Sequence, residues 1–183
     1  MLENAGVSFD AVRALVDEGA IKQSLIAEAV PARDVADRLA EAKARSVSMI
    51  HPNRIVLGAD QVLVQDKRIF SKASTRDQAK ATLKALSGQS HQLISAAVIY
   101  DGGQPVWRAA TVATLTVRDL SDDFIDQYLT ALGDDAFWSV GCYQLEGLGA
   151  QIFSKIDGDY FTVLGLPLLP VLDFLRGRGM VPV

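Results

Sequence analysis

Cysteine occurs once in the 183 residues, at Cys142, and histidine twice, at His51 and His91. One thiol excludes an intrachain disulfide and a cysteine-based zinc cage, which suits a reducing compartment. The two histidines stand far apart with no second ligand at metal spacing, so a histidine metal centre is not expected; His91, where a helix gives way to a strand, is expected to satisfy backbone groups. Neither serine nor cysteine sits in a recognisable nucleophile pattern. Basic residues number 18 against 22 acidic ones, a formal charge of −4, and they form no run that would track a phosphate backbone. Nucleic acid and anionic membranes are therefore not expected partners. The opening MLENAGVSFD lacks the basic-then-apolar pattern of a secretion signal. The most apolar stretch, VLGLPLLPVLDFL, is interrupted by Pro167 and Pro170 and falls short of the roughly 20 residues that a membrane span needs. A soluble, cytoplasmic protein is the expectation.

What is present is apolar material, 49% of the chain, enough for one core and a single domain over residues 1–183. Turn signals punctuate it evenly, as when strands and helices alternate. VADRLAEAKARSV sets Val35, Leu39, Ala42 and Val47 on one helical face behind Pro31, with Lys43 at the edge of that stripe. Ile55 to Val64 reads as a buried strand. Thr75 and Gln78 have capping-box spacing, Ala79, Leu83 and Leu86 continue as a stripe, and Gly88 ends it. QLISAAVIY and VWRAATVATLTVR form a hairpin through DGGQP. Ser121 caps DDFIDQYLTAL, and a last helix runs from about Pro167 to Leu175. In GCYQLEGLG three glycines in nine residues imply a tight path or close ligand contact, with Tyr143 one strand-face alternation from Leu145, and GDYFTVLGLP reads as a turn, a strand and a helix entry. The fold class is α/β, a mixed sheet flanked by helices.

Asp60 is the residue that this pattern does not explain. It interrupts IVLGADQVLV, where a carboxylate between aliphatic neighbours is costly unless cations or donors meet it. A strand-end role, binding turn amides, is the plain alternative, but Gly58 and Ala59 leave room for a ligand to approach the backbone. Lys43 and Lys72, the latter in a loop after the strand, are candidate cations; each would otherwise be an ordinary surface lysine. Glu146 lies in a glycine-rich stretch. Carboxylates and lysines without histidine or cysteine suit Mg²⁺-assisted chemistry on phosphates.

LAEAKA, GADQVLV, SKA, LSGQSHQL, GCYQLEGLG and GDYFTVLGLP, in this order from about Gly6 to Leu175, resemble the Maf family of nucleoside triphosphate pyrophosphatases. The resemblance implies an elongated α/β fold with a cleft between two lobes, dependence on a divalent cation (Mg²⁺ or Mn²⁺), frequent homodimers, and hydrolysis of a nucleoside triphosphate to the monophosphate and pyrophosphate. It implies that Asp60 is the catalytic carboxylate, acting as a base or through a bound cation, that Lys43 and Lys72 hold the triphosphate, and that Glu18 is a further metal ligand. Gln61 and Glu146 fall where members commonly carry Thr and Gln, at positions tied to base or substrate choice. Members also begin with a strand and a loop resembling LASxSPxR, which is not seen before MLENAGVSFD, so that either the chain was started late or the loop has been lost. Loss of the loop would remove a bidentate arginine and leave a second reading, a nucleotide-binding protein with weak turnover or none.

Overall fold

The apolar stripe behind Pro31 winds into a long helix because seven positions share one side and nothing within it breaks the backbone ladder. The computed structural model describes residues 1–182. Its helices are α1 (Glu18–Ala27), α2 (Ala32–Ile50), α3 (Arg76–Leu86), α4 (Asp122–Leu132), α5 (Tyr160–Val163) and α6 (Leu168–Gly177). Its strands are β1 (Val56–Gln65), β2 (Arg68–Ile69), β3 (Ser90–Asp101), β4 (Gln104–Val117) and β5 (Phe153–Asp157). Along α2, Val35, Ala36, Leu39, Ala40, Ala44, Val47 and Ser48 are buried. Thr75 Oγ1 accepts from the amide of Gln78 at 3.3 Å to start α3, and Ser121 Oγ accepts from that of Phe124 at 3.2 Å to start α4.

The strands make one five-stranded sheet in the order β2-β1-β3-β4-β5. Helices alternating with strands suggest parallel neighbours and a mixed sheet, but the sheet is antiparallel. Asp66 and Lys67, both at positive φ, turn β2 back onto β1, and Gly102 and Gly103 join β3 to β4 in two residues, too few for a parallel crossover. β5 pairs antiparallel with the end of β4, with an irregularity between Thr116 and Val117.

The chain divides into two compact units, one of Met1–Gln61, Ile94–Val112 and residues 160–182, the other of Val62–Leu93 and Ala113–Asp159. In the first, Leu166, Leu168, Val171 and Leu175 close over Ala97. In the second, α3 packs on α4, and Lys80 and Lys84 meet Asp126 and Asp122 along their exposed edge. Among the described residues no helix is long and apolar enough to cross a membrane.

Three local expectations give way. Tyr160–Val163 is a helical turn rather than a strand. The carbonyls of Thr162 and Val163 receive side-chain donors from Gln61 and Ser95, which replaces the neighbouring strand their composition suggests. The strand is β5, just before it. Residues 141–147 follow a tight path of turn, bend and coil, as their glycines imply, without the strand-like alternation of Tyr143 and Leu145, because Cys142 at φ 58° breaks any extended run. α1 was not anticipated; Asp17 caps it by accepting from the amide of Ala20 at 2.9 Å.

Candidate active site

The site begins with a side chain that is missing. A Cβ on Gly58 would lie 2.4 Å from the carbonyl oxygen of Ala40 and 2.5 Å from the amide nitrogen of Ala44, so only glycine lets α2 lie this close to β1. Lys43 belongs to that same turn of α2. Asp60, two residues beyond Gly58 on β1, projects from the same strand face. Their side chains meet, with Lys43 Nζ donating to Asp60 Oδ1 at 2.6 Å. Glu18, at the first position of α1, reaches the same ammonium at 3.1 Å. The Asp60 side chain is only 11% exposed, against 22% for Lys43 and 55% for Glu18.

Burial and charge act on this trio in opposite directions. Burial raises the Asp60 carboxyl above its ordinary range, and the opposing pull of Lys43 does not cancel it. Burial works to lower the Lys43 ammonium, yet Asp60 and Glu18 together hold it above its ordinary value. The result at neutral pH is a firmly protonated lysine beside a carboxylate more basic than a solvated one. Two carboxylates aimed at one cationic point are also a donor set that a divalent cation accepts when substrate phosphates complete its shell. Glu18 and Asp60 fit such an ion; among the described residues no cluster of three His, Cys, Asp or Glu side chains offers a self-contained cage.

Lys22 is the residue that sequence reasoning missed. It follows Glu18 by one helical turn, half-buried, and its charge lowers the Asp60 carboxyl, partly offsetting burial. The spacing E-x-x-x-K at positions 18 and 22 was the available signal.

Gln61, beside Asp60, turns to structural work. Its Nε2 donates to Ser95 Oγ at 3.0 Å and to the carbonyls of Thr162 at 2.8 Å and Val163 at 3.1 Å. With two hydrogens shared among three acceptors, this amide nitrogen has nothing left to give a ligand. Gln61→Leu removes the donors and leaves the carbonyl of Val163 without this one, so it is expected to cost about 1–3 kcal/mol, read from the urea midpoint at unchanged slope. Lys72 is exposed in the coil between β2 and α3, and Glu146 is exposed in the turn before the 3₁₀ segment Leu148–Ile152. Both lie in the second unit. The phenol of Tyr128, pushed up to about 12 by burial, feels the Glu146 charge as a smaller contribution.

Gly58 was expected to leave room for a ligand at the backbone, but its open side is filled by Ala40 and Ala44 of α2, and Lys43 and Asp60 meet beside that contact. The profile of the family described as "Maf-like protein" matches residues 1–178. The chain belongs to the Maf family. A nucleoside triphosphate pyrophosphatase of Caulobacter vibrioides is 50% identical over 183 residues, all of this chain and 92% of that protein. Proteins named 7-methyl-GTP pyrophosphatase in Rhizobium meliloti and Brucella abortus are 45% identical over 181 residues and 46% identical over 176 residues. The match covers 99% of this chain and 91% of the Rhizobium protein, and 96% and 88% for the Brucella one.

Proposed function

We propose that this Maf protein hydrolyses nucleoside triphosphates at the α–β phosphoanhydride, giving a monophosphate and pyrophosphate. The observation that carries the reading is Asp60, nearly enclosed and 2.6 Å from the Lys43 ammonium. Asp60 takes a proton from water as the water oxygen bonds to the α-phosphorus. The bridging P–O bond breaks, and its electron pair leaves on pyrophosphate. Lys43 stays charged and lies against the charge that develops on the phosphates; in reactions of this kind positioning and charge stabilisation supply most of the rate. Glu18 and Asp60 would hold a divalent cation, Mg²⁺ or Mn²⁺, which when bound neutralises phosphate charge. Lys72 serves the phosphates and Glu146 the base. The protein works as a cytoplasmic homodimer, a state that light scattering reads directly.

Two of the relatives carry names that specify 7-methyl-GTP. N7-methylation leaves guanine with a positive charge, and an exposed carboxylate at Glu146 has the sign to prefer it. Pyrophosphate release over a nucleotide panel, 7-methyl-GTP beside GTP and the pyrimidine triphosphates, tests both levels. No release from any member overturns the enzyme reading, and equal kcat/KM for GTP and its methylated form overturns the finer one. Non-catalytic nucleotide binding is the weaker reading, since Asp60 and Lys43 are both present and paired.

The raised Asp60 carboxyl fixes a sign for the pH profile. A base must be ionised, so kcat/KM, which reports groups of the free enzyme, is expected to fall as pH drops through the folded-state value, and this acid limb should lie above the range of an ordinary aspartate, near 4. A limb at or below that range would mean that another group accepts the proton.

A further inference from the structure

His91 is used by none of this chemistry, and it is 2% exposed. It lies on β3, and its side-chain Nε2 meets Tyr143 Oη at 2.6 Å. Among the described residues its Nδ1 has no hydrogen-bond partner. Tyr143 and Phe153 stack edge to face at 4.8 Å between ring centres, and the imidazole packs on both rings. Burial lowers the imidazole to about 4, so at working pH it is neutral and the bond to the phenol persists. A doubly protonated ring would enclose a charge that none of the described residues meets at Nδ1.

Tyr143 is the buried pin of an otherwise tightly wound segment. Ser139 Oγ donates to the Tyr143 carbonyl at 2.8 Å and accepts from its amide at 3.0 Å. A Cβ on Gly141 would fall 2.1 Å from the Tyr143 ring, and one on Gly149 would fall 2.3 Å from the carbonyl oxygen of Gln144. Cys142, between Gly141 and Tyr143, holds φ 58°, an uncommon state for a side-chain-bearing residue that the surroundings must maintain. The turns thus close around one aromatic ring, and that ring is held at its far end by His91. Glu146, three residues on, is exposed.

We propose that His91 is a positioning residue for specificity: through Tyr143 it fixes residues 139–149 so that Glu146 is presented to the nucleobase. This rests on the reading above that Glu146 meets the base. Three variants separate the hydrogen bond from the packing. Tyr143→Phe removes one oxygen and keeps the ring; His91→Gln keeps a polar partner for the phenol, whereas His91→Phe keeps bulk alone.

The first measurement is amide hydrogen exchange of residues 139–149 in the native chain without nucleotide. Exchange is expected to be about tenfold faster in Tyr143→Phe and His91→Phe and close to native in His91→Gln. The second is steady-state kinetics with 7-methyl-GTP, for which KM should rise about tenfold in the same two variants while kcat changes less than about twofold, again rescued by glutamine. Unchanged exchange in Tyr143→Phe overturns the anchor. Faster exchange with KM unmoved, or kcat falling as much as KM rises, overturns the link to substrate. A native chain that releases no pyrophosphate overturns the functional reading instead, and the exchange comparison still decides whether His91 holds the segment.

Discussion

Asp60→Asn is expected to lower kcat by about 10²–10⁴-fold, the range that a positioned general base supplies, with little change in thermal midpoint. The fold should survive because asparagine has the same shape and its Oδ1 still accepts from Lys43. Lys43 also retains Glu18, 3.1 Å away, so the half-buried ammonium is not left without a negative partner, the situation that makes breaking a buried pair so destabilising. Pyrophosphate release under saturating nucleotide, beside a melting curve on the same preparation, is the measurement. Rates within a few-fold of native would remove Asp60 from the chemistry. Equal loss of activity and of fold would mean that the carboxylate is structural.

The largest loss of stability is expected from a single methyl group. Gly58→Ala places a Cβ 2.4 Å from the Ala40 carbonyl oxygen and 2.8 Å from the Ala44 Cβ. These contacts belong to backbone and to a Cβ carried rigidly by α2, so no flexible tip can swing aside. The helix must lift from β1 instead. Overpacking of this kind costs about 3 kcal/mol or more, to be read from urea unfolding. Since Lys43 rides on the lifted turn, activity should fall further than the folded fraction does. A variant within about 0.5 kcal/mol of native would show that α2 slides along β1 with ease.

The sequence made the long elements legible because their periods are long and their ends are marked. The stripe from Val35, the hairpin at Gly102 and Gly103, and the caps at Thr75 and Ser121 all lie where side-chain chemistry decides the backbone locally. Asp60 and Lys43 were legible as an anomaly and a neighbour, and the 2.6 Å contact between them has the geometry that such a buried charge demands. What escaped depended on contacts distant in sequence. Gln61 looked like a residue facing a ligand, but its donors go to carbonyls about a hundred positions away. The same bonds bend Tyr160–Val163 into a helix against its strand-like composition. His91 was expected to serve backbone groups, yet it answers a phenol 52 residues later. No period or spacing encodes a partner of that kind.

Cys142 is fully enclosed, and burial holds its thiol above its usual range against smaller opposing influences from Ala73 and Thr82. Because it is the sole sulfhydryl in the chain, an alkylating reagent added to the native protein marks a molecule only in the moments when its surroundings come apart. The modification rate therefore serves as a natural clock for breathing of the second unit, with no engineered label needed.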